Sequence, residues 1–215
     1  MKVIVTGTSR GIGRAIAMKF LSLGHDVTGL DIAPSTIDDG RYTHVISDIS
    51  EGELPEADGA EILINNAGVQ DSGRDIDVNL KGTIRVTEKY AFRKGMKSVL
   101  FIASASASTG SEFPEYVASK GGVVAYMKNV ALRSAPDGVT VNSLSPGGVF
   151  TPLNARVIDD KEKWSRIMSL TPLGKWAGAD EIAEWAYFLT VVNKSMTAQD
   201  LIIDNGEAAR AEFVW

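Results

Sequence analysis

Tyr116 and Lys120 stand four positions apart in the stretch EYVASKGG, Glu115–Gly122. On a helix this spacing places both side chains on one face, a turn apart. A phenol titrates near pH ~10, too high for an efficient base at neutral pH, and a neighbouring ammonium favours the phenolate and lowers that value. Such a pair could take the hydroxyl proton of an alcohol while hydride leaves the carbon. A serine hydroxyl, which both donates and accepts, suits the accompanying change between alcohol and carbonyl. Ser104 is the first candidate for it and Ser106 the second, both in SASAS, Ser104–Ser108. The same spacing occurs on ordinary solvated helix faces, and SASAS reads equally as a loop of small residues. The pair needs a context.

A second cluster lies at the N-terminus. TGTSRGIG, Thr6–Gly13, has glycines at 7, 11 and 13, with Thr8, Ser9, Arg10 and Ile12 between them. Gly7 permits a sharp turn, and Gly11 and Gly13 permit backbone to approach a pyrophosphate and a helix to pack on a strand. The helix N-terminus supplies N–H groups and partial positive charge. The glycine order differs from G-x-G-x-x-G, and a ligand-free strand-to-helix turn is the plain alternative. Asp31, eighteen residues beyond Gly13, ends the next apolar run. A carboxylate there accepts hydrogen bonds from ribose hydroxyls and repels a 2′-phosphate, which favours NAD over NADP. The plain alternative is a strand-end or capping aspartate, and Arg10 is a counter-signal because it could meet a 2′-phosphate.

The elements that would position these residues alternate. Short β-branched runs at Lys2–Thr6, His25–Asp31, Thr43–Ile49, Glu61–Gly68, Lys97–Ser104, Gly138–Gly148 and Gln199–Gly206 read as strands. Helical patterns fall between most of them, including GRAIAMKFLSLG after the glycine loop, a long helix from Asp75 to Gly95, and one begun by Pro114 that carries Tyr116 and Lys120. This alternation predicts one α/β domain, a parallel sheet covered by helices with right-handed crossovers. The connections Asp31–Thr43 and Asp48–Glu61 are short, and the second in particular has little room for a full crossover helix, so one layer is expected to be thin there.

Composition removes other classes. The chain has 215 residues, a net charge of −5 and no cysteine. Thiol nucleophiles, zinc–thiolate centres and disulfides are excluded, and bulk charge predicts no nucleic-acid partner. His25 and His44 lack metal-ligand spacing, and no metal is expected. The DDKEK run, Asp159–Lys163, reads as a solvated helix face. The apolar run near the N-terminus is only Val3–Val5, too short for a signal core or membrane span, so a soluble cytoplasmic protein with no membrane partner is the expectation.

Taken together, these motifs resemble the short-chain dehydrogenase/reductase family over almost the whole chain. TGTSRGIG resembles its cofactor loop and Asp48–Ile49 its adenine contact. NNAG at 65–68, with Asn66, Ala67 and Gly68, resembles its fourth-strand signature, and Asn79 its helical asparagine. IAS ending at Ser104, YVASK at 116–120, SPGGVFT at 145–151 and TPLGKWAGADEIA at 171–183 complete the set. The resemblance implies a doubly wound Rossmann sandwich with strand order 3-2-1-4-5-6-7 and nicotinamide-dependent hydride transfer between an alcohol and a carbonyl. It implies Tyr116 as general acid/base, Lys120 as its electrostatic partner and a contact to the nicotinamide ribose, Ser104 orienting the substrate oxygen, and Asn79 holding a water in a proton relay. Pro146 and Gly147 would break the sixth strand, with Val149 and Thr151 facing the nicotinamide carboxamide. Gly110, six residues past Ser104, favours Ser104 over Ser106. Asn66 is expected to brace the fourth strand.

The departures from the family concern loops. Ser104 to Tyr116 is twelve residues and Asn66 to Asn79 thirteen, both short. A substrate lid is expected within Thr151–Thr171, with Trp164 and Trp176 as pocket-lining or packing residues. The family also implies a homotetramer or homodimer through the helices around Asn79–Arg93 and Tyr116–Arg133, where Val123, Val124, Tyr126, Met127 and Val130 supply apolar surface; Trp215 is expected at a subunit interface. The leading functional expectation is an NAD-dependent oxidoreductase interconverting a secondary alcohol and a ketone, both small molecules. The alternatives are an NADPH-dependent 3-oxoacyl-thioester reductase and a non-catalytic dinucleotide-binding redox sensor.

Overall fold

In the computed structural model, which describes residues 1–111 and 113–209, seven parallel strands form one sheet in the order β3-β2-β1-β4-β5-β6-β9. They are β1 (Lys2–Thr6), β2 (Asp26–Asp31), β3 (Tyr42–Ile46), β4 (Ile62–Asn65), β5 (Ser98–Ile102), β6 (Thr140–Pro146) and β9 (Asp200–Ile203). The expected order holds; the seventh sheet strand is ninth in the chain because β7 (Val149–Phe150) and β8 (Ala177–Gly178) pair apart as a two-stranded ribbon. The chain reverses its direction of travel across the sheet at β1 and β4. There the strand ends splay and open a crevice on the carboxyl side.

The central strands are apolar on both sides because both faces are covered. Val3, Val5, Ile62 and Ile64 face a layer made by α1 (Gly11–Ser22) and α7 (Ala179–Tyr187). Ile4, Leu63, Val99 and Phe101 face the opposite layer of α2 (Thr83–Tyr90) and α4 (Pro114–Ser134). The expected thinning is present. No helix joins β2 to β3 or β3 to β4. In their place the connecting loops bury aliphatic side chains, Ile37 on the α1 side and Ile49, Leu54 and Ala60 on the α2 side.

Two expectations about α2 and α4 need correction. The long helix predicted from Asp75 to Gly95 begins as a π-helical turn, Ile76–Gly82, and ends at Tyr90. In α4, Val123, Met127 and Val130 are buried within the chain, so the apolar surplus expected for a subunit contact is consumed by the sheet. Tyr126 donates its hydroxyl to Glu88, and the large apolar side chain that α4 leaves exposed is Leu132. Trp215 lies outside the described residues. Among the described residues no helix is long and apolar enough to cross a membrane.

Candidate active site

The glycine loop follows directly from β1. Gly7 has φ +75°, a conformation that side chains rarely adopt. A Cβ on Gly13 would land on the Gly7 carbonyl and the Asn66 amide, so α1 approaches β1 as closely as it does only with glycine there. Asn66 donates from Nδ2 to the Thr6 and Gly7 carbonyls at 2.9 and 3.2 Å. The Thr6 hydroxyl accepts the Asn66 and Ala67 N–H groups, both at 2.9 Å. Asn66 thus ties the end of β4 to β1 and the loop, a wider bracing than that of the fourth strand, and it lines the cavity beside that loop.

The remaining loop side chains divide into two groups. Gly7, Arg10, Gly11 and Ile12 line a cavity of ≈ 1220 Å³, which also reaches Asp31. Thr8 and Ser9 turn inward. The Thr8 hydroxyl pairs with the Tyr42 phenol at 2.7 Å, and Tyr42 continues to His44 Nδ1 at 2.9 Å. The Ser9 hydroxyl donates to the Ala33 carbonyl at 3.1 Å, and its N–H donates to Asp31 Oδ2 at 2.8 Å. Asp31 Oδ1 accepts the Ala33 N–H at 2.9 Å. Each Asp31 oxygen therefore has one protein partner and retains accepting capacity towards the cavity.

Beyond Asp31 the wall passes through Ile32, Asp48, Ile49 and Arg74. Desolvation works to raise the Asp48 pKa, but hydrogen bonds from the Ser50 hydroxyl and N–H and the charge of Arg74 outweigh it and leave it lowered. Arg74 also binds Glu51 at 2.6 Å. No sequence signal pointed to Arg74.

At the other end the cavity is lined by Ser104, Ser106, Tyr116 and Lys120. Ser104 follows β5, and Tyr116 and Lys120 share the first turns of α4. The Ser106 hydroxyl donates to Ser104 Oγ at 2.8 Å. Gly110, with φ +69°, ends the short helix α3 (Ser106–Thr109) that fixes this geometry. Ser104 keeps its own proton to donate, while Ser106 supports it. Lys120 is 5% exposed and donates to the Ile102 carbonyl at 3.0 Å. Its Nζ lies 5.8 Å from the centre of the Tyr116 ring. Desolvation pushes the Lys120 pKa down to about 8, opposed in part by the buried carboxylate of Asp75.

Asn79 sits in the π-helical turn and does not line the cavity. Its Nδ2 donates to the Val69 carbonyl at 2.9 Å and to Ser119 Oγ at 3.0 Å, and its Oδ1 accepts the Val69 N–H at 2.8 Å. Gly122 allows this contact between elements, because a Cβ there would lie 2.8 Å from Leu80. The Asn79 amide donors are thus spent, one on the chain just after NNAG and one on Ser119 of α4.

The far wall comes from the segment after β6. Pro146, Gly147, Val149 and Thr151 line the cavity, and Thr151 packs 3.6 Å from where a Gly11 Cβ would stand. The expected lid holds two helices, α5 (Ala155–Ile158) and α6 (Lys161–Leu170), which contribute Arg156, Val157, Lys163 and Ile167 to the wall. Trp176 also lines the wall and is buried, and its indole N–H donates to Glu207 at 3.2 Å. Trp164 stacks edgewise on it at 5.1 Å, and Phe150 completes the aromatic group.

A family profile described as enoyl-(acyl carrier protein) reductase matches residues 56–207. The chain belongs to the short-chain dehydrogenase/reductase family. It is an oxidoreductase acting on CH–OH groups with NAD(P). The 3β-hydroxysteroid dehydrogenase 1 of Eggerthella lenta is 29% identical over 95% of this chain and 92% of its own. Among solved structures, a 4-hydroxyisoleucine dehydrogenase complexed with NADH superimposes with a TM-score of 0.89 at 26% identity, covering 98% of this chain and 99% of that one. A candidate 2-deoxy-D-gluconate 3-dehydrogenase from Agrobacterium tumefaciens with bound NADP gives 0.86 at 27% identity, covering 97% and 96%.

Proposed function

We propose that the protein interconverts a secondary alcohol and a ketone with NAD as hydride carrier and Tyr116 as general acid/base. The observation that carries this reading is one continuous cavity. Ser104, Tyr116 and Lys120 line one end, and Asp31 and the glycine loop line the other. At ≈ 1220 Å³ it exceeds the usual ~300–1,000 Å³ of a single-ligand pocket, leaving room for a cofactor and a substrate together.

The residues fit a dinucleotide. The loop backbone at Gly7, Arg10, Gly11 and Ile12 would face the pyrophosphate at the start of α1. Asp31 would accept the ribose hydroxyls, with Asp48 and Ile49 beside the adenine. Ala67, Gly68, Pro146, Gly147, Val149 and Thr151 would hold the nicotinamide half. When bound, NAD supplies the hydride acceptor of the oxidation. Lys120 carries its charge beside the Tyr116 ring and stabilises the phenolate, which takes the hydroxyl proton of the alcohol. Ser104 donates a hydrogen bond to the substrate oxygen as it becomes a carbonyl. The Asn79 side chain is spent on Val69 and Ser119, so its amide has no donor left for a relay water.

Reduction of a 3-oxoacyl thioester with NADPH is the second reading, supported by Arg10 in the cavity wall. A sensor without turnover has no use for the Ser104–Tyr116–Lys120 group. A homo-oligomer is also proposed; Trp185, Phe188 and Val192, exposed along α7 and the turn after it, support it better than α4 does. Turnover of an alcohol and ketone panel by wild type and Tyr116→Phe tests the central assignment. The variant should lose at least about 100-fold in kcat while still binding NADH; full turnover by the variant removes Tyr116 as the base. Titration with NADH and NADPH tests the Asp31 argument, and tighter NADPH binding refutes it.

A further inference from the structure

The substrate end of the cavity contains an unusual cation. Arg156, on α5, lines the wall together with Phe113, Tyr116 and Ser104. Its guanidinium stands 5.1 Å from the centre of the Phe113 ring, three residues before Tyr116 on the same helix entry. Asp71, on the loop after β4, lies 3.7 Å from the same guanidinium. Arg156 therefore joins the lid segment, the entry to α4 and the NNAG loop at one point.

The contact with Asp71 is long, single and exposed, with the two side chains 55% and 50% accessible. An ion pair of that kind contributes little to holding a fold together. A guanidinium has five donors in a planar fork, and one distant oxygen leaves most of them unused. The other charged groups at this end differ in kind. Glu207 accepts from Thr171 and Trp176. Lys120 is buried against the Ile102 carbonyl, and Lys163, paired with the α6 N-cap Asp160 at 3.1 Å, is an exposed ammonium without a planar fork. Asp31, Asp48, Arg10 and Arg74 belong to the end of the cavity built by the glycine loop. Next to Tyr116 the wall thus offers one planar cation, with Leu153 and Val157 as apolar neighbours.

We propose that Arg156 is a substrate-binding residue that selects a molecule bearing a carboxylate close to its reacting alcohol or ketone. Asp71 holds the guanidinium over the cavity mouth until the substrate carboxylate displaces it. A planar, bidentate donor also sets the orientation of the carbinol carbon relative to Tyr116, which a lysine at this position would not do. The inference rests on the oxidoreductase reading above and names the substrate class for that site.

The test compares short hydroxycarboxylic acids, hydroxylated at the second, third or fourth carbon, with their methyl esters, which keep the carbinol and lose the charge. Wild type should favour at least one acid over its ester by about ten-fold or more in kcat/KM. Arg156→Gln should collapse that ratio, chiefly through KM, and Arg156→Lys should restore part of it. Asp71→Asn, which frees the guanidinium, should lower the KM for the acid. Calorimetric titration of the NADH-loaded protein with the same acids and esters gives a readout independent of turnover, with acid binding lost in Arg156→Gln. Esters equal to or better than every acid overturn the carboxylate proposal and leave the oxidoreductase standing, as does a ratio unchanged in Arg156→Gln. An Asp71→Asn variant that weakens acid binding makes the pair a structural latch and also overturns it. No turnover of any alcohol or ketone by a protein that binds NADH removes the oxidoreductase reading, and this proposal with it.

Discussion

Lys120 combines two demands that conflict. Its cation is useful beside Tyr116, yet its burial pushes the pKa down to about 8. In the unfolded chain a lysine titrates near ~10.4. Between these values the unfolded state binds more protons than the folded one, so stability should rise with pH across that window. Below about 8 the buried charge opposes folding by a constant amount. Lys120→Met should therefore melt higher than wild type at pH ~7, with the difference shrinking towards pH ~10 as wild-type Lys120 loses its proton. Thermal melts of both proteins across this range check it, and a gap that widens with pH contradicts it. At Asp31, replacement by serine removes the carboxylate that accepts Ser9 and Ala33 and faces the cavity. Relative affinity should move towards NADPH by about ten-fold or more, read by fluorescence titration. The proposed trio of Ser104, Tyr116 and Lys120 was legible in sequence because these types suit the chemistry and stand among motifs that resemble the family's. Arg156 and Arg74 were not, since single arginines in polar stretches carry no pattern.

At the scale of elements, the site depends on close approaches that only small residues allow. Gly13→Ala would drive a methyl into the Gly7 carbonyl and the Asn66 amide. It should destabilise by ~1–3 kcal/mol and weaken NADH binding, because α1 must move away from the loop it supports. Denaturant unfolding and NADH titration measure both. Strand positions were readable from β-branched runs, and α4 from Pro114 and its apolar spacing. The π-helical start of the segment carrying Asn79 was not readable. Its sequence is compatible with an ordinary helix, and the extra residue per turn arises where Leu80 meets Gly122 and Asn79 meets Val69 and Ser119.

Over the whole molecule, no helix joins β2 to β3 or β3 to β4, and the edge at β3 relies on loop side chains, Ile37 on one face and Ile49, Leu54 and Ala60 on the other. Leu54→Ala and Ile37→Ala should each cost ~2–4 kcal/mol, since a loop plug has no neighbouring helix to fill the gap. Amide exchange should be faster in β3 than in β1 and β4, because fewer buried contacts oppose local opening there. Equal protection in all three strands would contradict this account of the edge. The two short connections at Asp31–Thr43 and Asp48–Glu61 are thus where loop side chains stand in for covering helices.

The sequence by itself determined the parallel sheet and the glycine loop, which follow from local periodicity and turn chemistry. The strand order and the candidates Ser104, Tyr116 and Lys120 came with the family resemblance, because many motifs stand in one register while each alone has other uses. Tertiary structure alone decided that Thr8 and Ser9 turn into the fold, that Asn79 spends its amide on Val69 and Ser119, and that Arg156 reaches Phe113 and Asp71. Each is a contact between segments far apart in the chain, made when strands and helices close around the crevice, and no local pattern encodes which partner arrives.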